Sequence, residues 1–231
     1  MKYLEKQLFF LTLLVIMMSS TSKIFSQPQT PPTIEWTLAA VLQNQDKTPS
    51  LGLAGPINGL HNNVLLVAGG ANFPDKMPWE GGKKRYADAI HVLENKGEDF
   101  VWNTKQKSKL PEPIAYCGVT STPVGVVYVG GENEQGLSNK SYLLKWVDVR
   151  HEVAVLPLPN FPKPIANIAL TAVGNVVYAI GGDEAKCSSQ LFYSLDLNAL
   201  SPQWKALPDL PIALANAAVV VQETKGVPLF L

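Results

Sequence analysis

The sequence predicts an all-β propeller, a ring of four-stranded antiparallel blades. Three observations predict it. A short apolar run ending in Gly-Gly occurs three times, as VLLVAGG (64–70), VVYVGG (126–131) and VVYAIGG (176–182). A second marker, a proline followed by Ile-Ala, sits at Pro113, Pro164 and Pro211, and runs in phase with the first. Charged residues are 16% of the chain, against 18 Pro and 17 Gly, a balance suited to a turn-rich β protein.

The spacing supports the repeat. The doublets begin at Gly69, Gly130 and Gly181, and from Ile114 to Gly130 and from Ile165 to Gly181 is 16 residues each time. Between the markers lie runs rich in Val, Ile, Tyr, Phe and Leu, separated by Gly, Pro, Asn and Asp. In the second unit these runs predict strands at about 115–121, 124–130, 141–147 and 151–156. In the third they fall at about 167–173, 175–180, 190–196 and 203–207. Four strands in roughly 50 residues is the kelch period. The glycines belong where a second strand ends at the crowded axis, because glycine allows close approach and unusual φ. Trp36, Trp102 and Trp204 fall where a kelch fourth strand carries its tryptophan; the second unit has Trp146 one strand early.

Taken in order, the chain opens with a leader. Lys2 and Lys6 precede the apolar run Leu8–Met18, which is too short for a spanning helix of about 20 residues, and small polar residues follow. We expect residues 1–26 to be a secretory signal and 27–231 to be the propeller domain. Removal leaves 16 basic and 18 acidic residues, a net charge of −2 that excludes a basic nucleic-acid binder. Next comes a lone strand around Trp36, then three whole blades from about Leu51 to Leu207. A first strand at about 213–222 and the start of a second (Val227–Leu231) end the chain. The expected ring has six blades, so the 231 residues read as a fragment of a longer propeller. Cys117 and Cys187 could pair in an exported chain; the three histidines, His61, His91 and His151, are scattered and show no metal-ligand spacing.

Antiparallel blades send the second-to-third-strand loops and the blade-to-blade connections to one face. The loop Ala71–Tyr86 stands out there, at sixteen residues against seven to nine in its counterparts. It carries Asn72, Trp79, Glu80, Lys83, Lys84, Arg85 and Tyr86. Aromatic surface beside cations and carboxylates suits a sugar acid, gripped at its carboxylate and handled by an acid/base at the anomeric hydroxyl. Glu132 and Asp183 follow their Gly-Gly directly, as turn formers or as ligands, and Tyr116 begins an inner strand on the same face.

The stretch LLVAGGANFPDKMPWEGGKKRYADAIHVL resembles the kelch-type sialic acid mutarotase (N-acetylneuraminate epimerase) family, in particular a cyclically permuted branch. The family pattern Glu-Gly-x-Lys-Lys-x-Tyr falls on Glu80, Gly81, Lys83, Lys84 and Tyr86, and Ala115-Tyr116 and Gly130-Gly131-Glu132 match its next blade. An Arg often found before Ala-Tyr in that family is Ile114 here. The resemblance implies a periplasmic enzyme that interconverts the anomers of N-acetylneuraminate without a cofactor or metal. It places the family's proposed catalytic segment beyond Leu231. From the residues present, Glu80 is the candidate catalytic acid/base. Asn72, Lys83, Lys84, Arg85, Tyr86, Tyr116 and Glu132 are the candidate substrate contacts. The expected partner is a small sugar acid, with no nucleic acid, no membrane after signal removal, and a homodimer as an option. A non-catalytic kelch module binding glycan or protein is the alternative, because the fold alone decides no function.

Overall fold

The structure, a computed structural model, describes residues 33–43, 48–224 and 227–230. The expected leader, residues 1–26, lies outside the described residues. The chain divides into an N-terminal unit, residues 1–37, and a main unit, residues 38–231.

In the main unit the first blade is formed by β1 (Ile57–His61) and β2 (Val64–Ala68). A side hairpin follows, β3 (Ala71–Asn72) and β4 (Arg85–Tyr86), and then β5 (Ile90–Asn95) and β6 (Phe100–Trp102) complete the sheet in the order β1-β2-β5-β6. The second blade is β7 (Gly118–Thr122), β8 (Gly125–Val129), β11 (Ser141–Val147) and β12 (Glu152–Leu158). Its side hairpin is β9 (Glu132–Asn133) with β10 (Gly136–Leu137). The third is β13 (Ala169–Val173), β14 (Val176–Ile180), β15 (Phe192–Asp196) and β16 (Lys205–Ala206). All pairings are antiparallel, and a last hairpin joins β17 (Val221–Thr224) to β18 (Val227–Phe230). The inner strand of each blade packs beside that of the next, β1 by β7 and β7 by β13, which is propeller packing.

Alternation explains the interblade core. In β8 every residue is buried, because both faces of this sheet are covered. Val126 and Tyr128 join Ile57, Leu66, Val92 and Trp146 between the first two blades. Val127 and Val129 join Phe161, Ile165, Val177 and Leu195 between the second and third. Each such side chain contributes about 1.5–3 kcal/mol on burial. Polar bonds reinforce the first joint: the Leu60 amide donates to Ser121 Oγ (2.9 Å) and the Trp146 amide donates to His61 Nδ1 (3.1 Å). Burial and the nearby Lys145 hold the His61 pKa below its usual value, which keeps the imidazole an acceptor.

The Gly-Gly doublets are the joints themselves. The second glycine of each donates its amide to the next blade: Gly70 to Ile114 O, Gly131 to Ile165 O and Gly182 to Leu214 O, all at 2.8 Å. The first glycine has φ of 62°, 66° and 64° at positions 69, 130 and 181. A Cβ there would lie 2.4, 2.1 and 2.3 Å from those same carbonyl oxygens. Only glycine meets both demands, so the motif recurs because the same close approach recurs.

Two expectations differ from the structure, and the open question of the cysteines is answered. No strand forms around Trp36: residues 33–37 of the N-terminal unit have no regular structure, and Trp36 is 91% exposed. A lone strand needs a ladder partner for its amides and carbonyls, and none is present among the described residues. The strand expected at 213–222 is confined to β17; upstream, only an isolated bridge from Leu214 to Ser189 forms, where the chain is spent joining blades. Cys117 and Cys187 are both free; the Cys117 thiol donates to Gly130 O (3.2 Å), and burial pushes its pKa well up.

Candidate functional site

The loop face gathers its groups by repeating one local arrangement. At the start of each blade an alanine pairs with the residue that follows the Gly-Gly doublet: Ala54 with Ala71, Ala115 with Glu132, Ala166 with Asp183. The residue after that alanine is left-handed each time: Gly55 (φ 57°), Tyr116 (58°) and Asn167 (52°). The Tyr116 ring lies directly over Gly55, where a Cβ would sit 2.4 Å from Tyr116 Cδ1. Glycine at 55 therefore makes room for the ring.

Against this ring the long loop of the first blade meets the second blade. Glu132 Oε1 accepts from the Tyr86 hydroxyl (2.8 Å) and from Lys84 Nζ (3.1 Å). The Lys84 ammonium also lies 4.9 Å from the Tyr116 ring centroid and 5.6 Å from that of Tyr86, within cation–π range. Lys84, Tyr86, Tyr116 and Glu132 are all half-buried, so the cluster is ordered yet reachable. Burial works against the Lys84 charge, but the hydrogen bond and charge of Glu132, with Tyr116 and Tyr86, outweigh it and raise its pKa. Burial and then Glu132 raise the Tyr86 pKa, keeping the phenol protonated. The result is a carboxylate, a phenol and an ammonium in direct contact: a proton acceptor, a proton donor and an anion contact.

The other expected residues stand apart from this cluster. Glu80 ends a 3-10 turn, Pro78–Glu80, and its Oε2 accepts from the Met77 amide (3.2 Å), folding the exposed loop onto itself. Arg85 pairs with Asp75 (2.6 Å) across an exposed part of the loop. Asn72 is opposite Arg85 in the β3–β4 register, and Lys83 is exposed. Sequence reasoning did not single out Glu112, which accepts from Lys140 Nζ (3.2 Å) and Ser138 Oγ (3.4 Å). Its place in a blade-to-blade connection on this face was the available signal. Among the described residues no three His, Cys, Asp or Glu side chains converge as a metal site requires, and no helix is long and apolar enough to cross a membrane.

Comparison with known proteins follows the same lines. The chain is 39% identical over 105 residues to an N-acetylneuraminate epimerase of Vibrio cholerae, a match covering 41% of this chain and 26% of that protein. It is 40% identical over 103 residues to one of Vibrio vulnificus (40% and 25% covered) and 34% identical over 108 residues to one of Brucella suis (42% and 26% covered). The matched stretch thus spans about a quarter of the length of these curated relatives. A solved structure titled "Structure of YjhT" superposes with a TM-score of 0.56 at 15% identity, covering 81% of this chain and 63% of that one, a likeness of fold. No protein-family model matches.

Proposed function

We propose that the chain carries a substrate-gripping and acid/base site of an exported sialic acid mutarotase, which interconverts the α and β anomers of N-acetylneuraminate. The observation that carries this reading is the convergence of Lys84 and Tyr86 on Glu132 Oε1, beside the Tyr116 ring. The relatives named N-acetylneuraminate epimerase support the substrate class.

In this reading Lys84 holds the substrate carboxylate with the ammonium hydrogens that Glu132 does not use, and Tyr116 stacks on the sugar ring. Glu132 takes the proton of the anomeric hydroxyl. The ring oxygen takes a proton from Tyr86 as the bond between it and the anomeric carbon breaks. The open keto form turns about the bond next to the carbonyl. The proton transfers then run in reverse on the opposite face, returning both residues to their starting state. The neighbouring ammonium of Lys84 stabilises negative charge that passes through the Tyr86–Glu132 pair.

Exchange between anomers, followed by NMR at equilibrium, tests the assignment. Glu132→Gln and Tyr86→Phe are each expected to slow the catalysed exchange by about 100-fold or more, the ordinary contribution of a positioned acid or base. Glu80, the other carboxylate of the loop, is compared as Glu80→Gln. Unchanged exchange in Glu132→Gln with loss in Glu80→Gln transfers the acid/base role to Glu80. Sugar binding without any acceleration over the spontaneous rate identifies a binding module instead.

A further inference from the structure

Asp183 occupies in the third blade the position that Glu132 occupies in the second. Both directly follow the doublet, and both pair by backbone with the alanine that opens their blade. The two positions adjoin, because the Asn167 amide donates to Tyr116 O (2.9 Å), just as the Tyr116 amide donates to Gly55 O (2.8 Å). Their electrostatics are opposite. Glu132 is matched by the Lys84 ammonium. Asp183 is held only by neutral donors, Asn167 Nδ2 on Oδ2 (3.0 Å) and Ser188 Oγ on Oδ1 (2.8 Å). The nearby Lys163 pairs with Glu184 instead (3.1 Å). Each Asp183 oxygen accepts one bond from the protein and retains lone-pair capacity for a second. The carboxylate is half-buried, oriented from both sides, and uncompensated by a cation among the described residues.

We propose that Asp183, positioned by Asn167 and Ser188, is a polyol subsite that accepts hydrogen bonds from two neighbouring hydroxyls of the sugar acid held at Lys84. A sugar acid has its anion at one end and hydroxyl donors at the other. The face has its cation in the first blade and, in the third, a carboxylate held by neutral donors. The proposal rests on the sugar-acid reading above and adds to it which part of the ligand is read, and by which blade.

The test compares two ligands on the full chain by calorimetric titration. One is N-acetylneuraminate. The other is its side-chain-truncated analogue, which keeps the ring and the carboxylate and lacks the terminal diol. Asp183→Asn keeps the shape and both internal contacts within reach. It is expected to weaken N-acetylneuraminate by about tenfold or more and the analogue by less than about twofold, the selectivity of a site built to bond a hydroxyl. Lys84→Ala is expected to weaken both ligands alike. Ser188→Ala changes an exposed side chain and guards against a folding failure; it is expected to show the same selectivity at smaller size. Equal weakening of both ligands in Asp183→Asn and Ser188→Ala, or no weakening of either, overturns the subsite. Failure of the unaltered chain to bind either sugar acid overturns the sugar-acid reading itself, and the subsite with it.

Discussion

Tyr86 and Lys84 show how one half-buried contact sets the behaviour of single residues. Both have pKa values raised above their ordinary 10.0 and 10.5. For Tyr86 burial is the largest cause and Glu132 the next; for Lys84 the pairing with Glu132 overcomes the burial that opposes it. In each case the folded chain holds its proton more tightly than the unfolded chain. The stability this contributes is complete below about pH 10 and is lost as pH rises through the folded values. Melting temperature is therefore expected to fall from pH 10 upward, and Tyr86→Phe is expected to flatten part of that fall. A slope identical in the variant would show that Tyr86 does not titrate as its contacts require. Burial also raises Tyr128, so the test is the difference in phenolate absorbance between the unaltered chain and Tyr86→Phe, which should appear at higher pH than that of a free phenol.

Among the elements, the doublet that ends each second strand has the largest leverage. Gly130 combines a φ of 66° with an absent Cβ that would sit 2.1 Å from Ile165 O. Gly130→Ala is expected to cost about 3 kcal/mol or more, from a strained backbone and a main-chain clash that no rotamer relieves. Gly136→Ala is the control: its φ is also positive, at 114°, but nothing lies within 4 Å of the added Cβ. Chemical denaturation should rank Gly130→Ala well below Gly136→Ala; equal losses would mean that backbone strain alone, and not the interblade approach, sets the motif. The elements were also the most legible level of the sequence. The predicted strand 141–147 matches β11 to the residue, because an apolar, aromatic-rich run is bounded by Asn139-Lys140 before it and Asp148 after it. The failures share a cause. Trp36 looked like a fourth strand by composition, but a strand exists only with a partner edge, which composition does not reveal. Lys84 and Tyr86 were recognisable as loop residues of the right chemistry. Their common partner Glu132 lies 48 and 46 residues away, and that pairing depends on the rotation between blades. Glu80 was attractive for its charge and its place in a motif, and its bond to the Met77 amide is visible only once the loop is folded.

At the scale of the molecule, the candidate site belongs to no single blade. Its cation and phenol come from the first, its carboxylate and stacking ring from the second, and the proposed polyol acceptor from the third. Each blade packs on its immediate neighbours, so stability is close to a sum of joints, and a ligand bridging several blades tightens those it spans. A ligand of this kind must be met outside the cytoplasm if the leader acts as its sequence implies. Expression in a bacterial host is expected to yield a periplasmic product whose mass lacks the first 20 or 26 residues, the two cleavage points offered by Ser20 and Ser26. An uncleaved product anchored in the membrane fraction would contradict the leader reading.

The joints have one more consequence. Gly55, Tyr116, Asn167 and Asn216 are linked in series by main-chain bonds, each amide donating to the carbonyl of the residue one blade before it (2.8, 2.9 and 3.0 Å). The hydrogen bonds that link this seam are all main chain to main chain, so its continuity does not depend on which side chains project from it. The seam works as a row of sockets: a glycine, an aromatic ring and two amides are already installed in it. At 116, 167 and 216 a side chain that tolerates a left-handed backbone, asparagine above all, can be fitted without rebuilding the scaffold, whereas at 55 the Tyr116 ring keeps the socket for glycine. New sugar preferences could be installed one socket at a time.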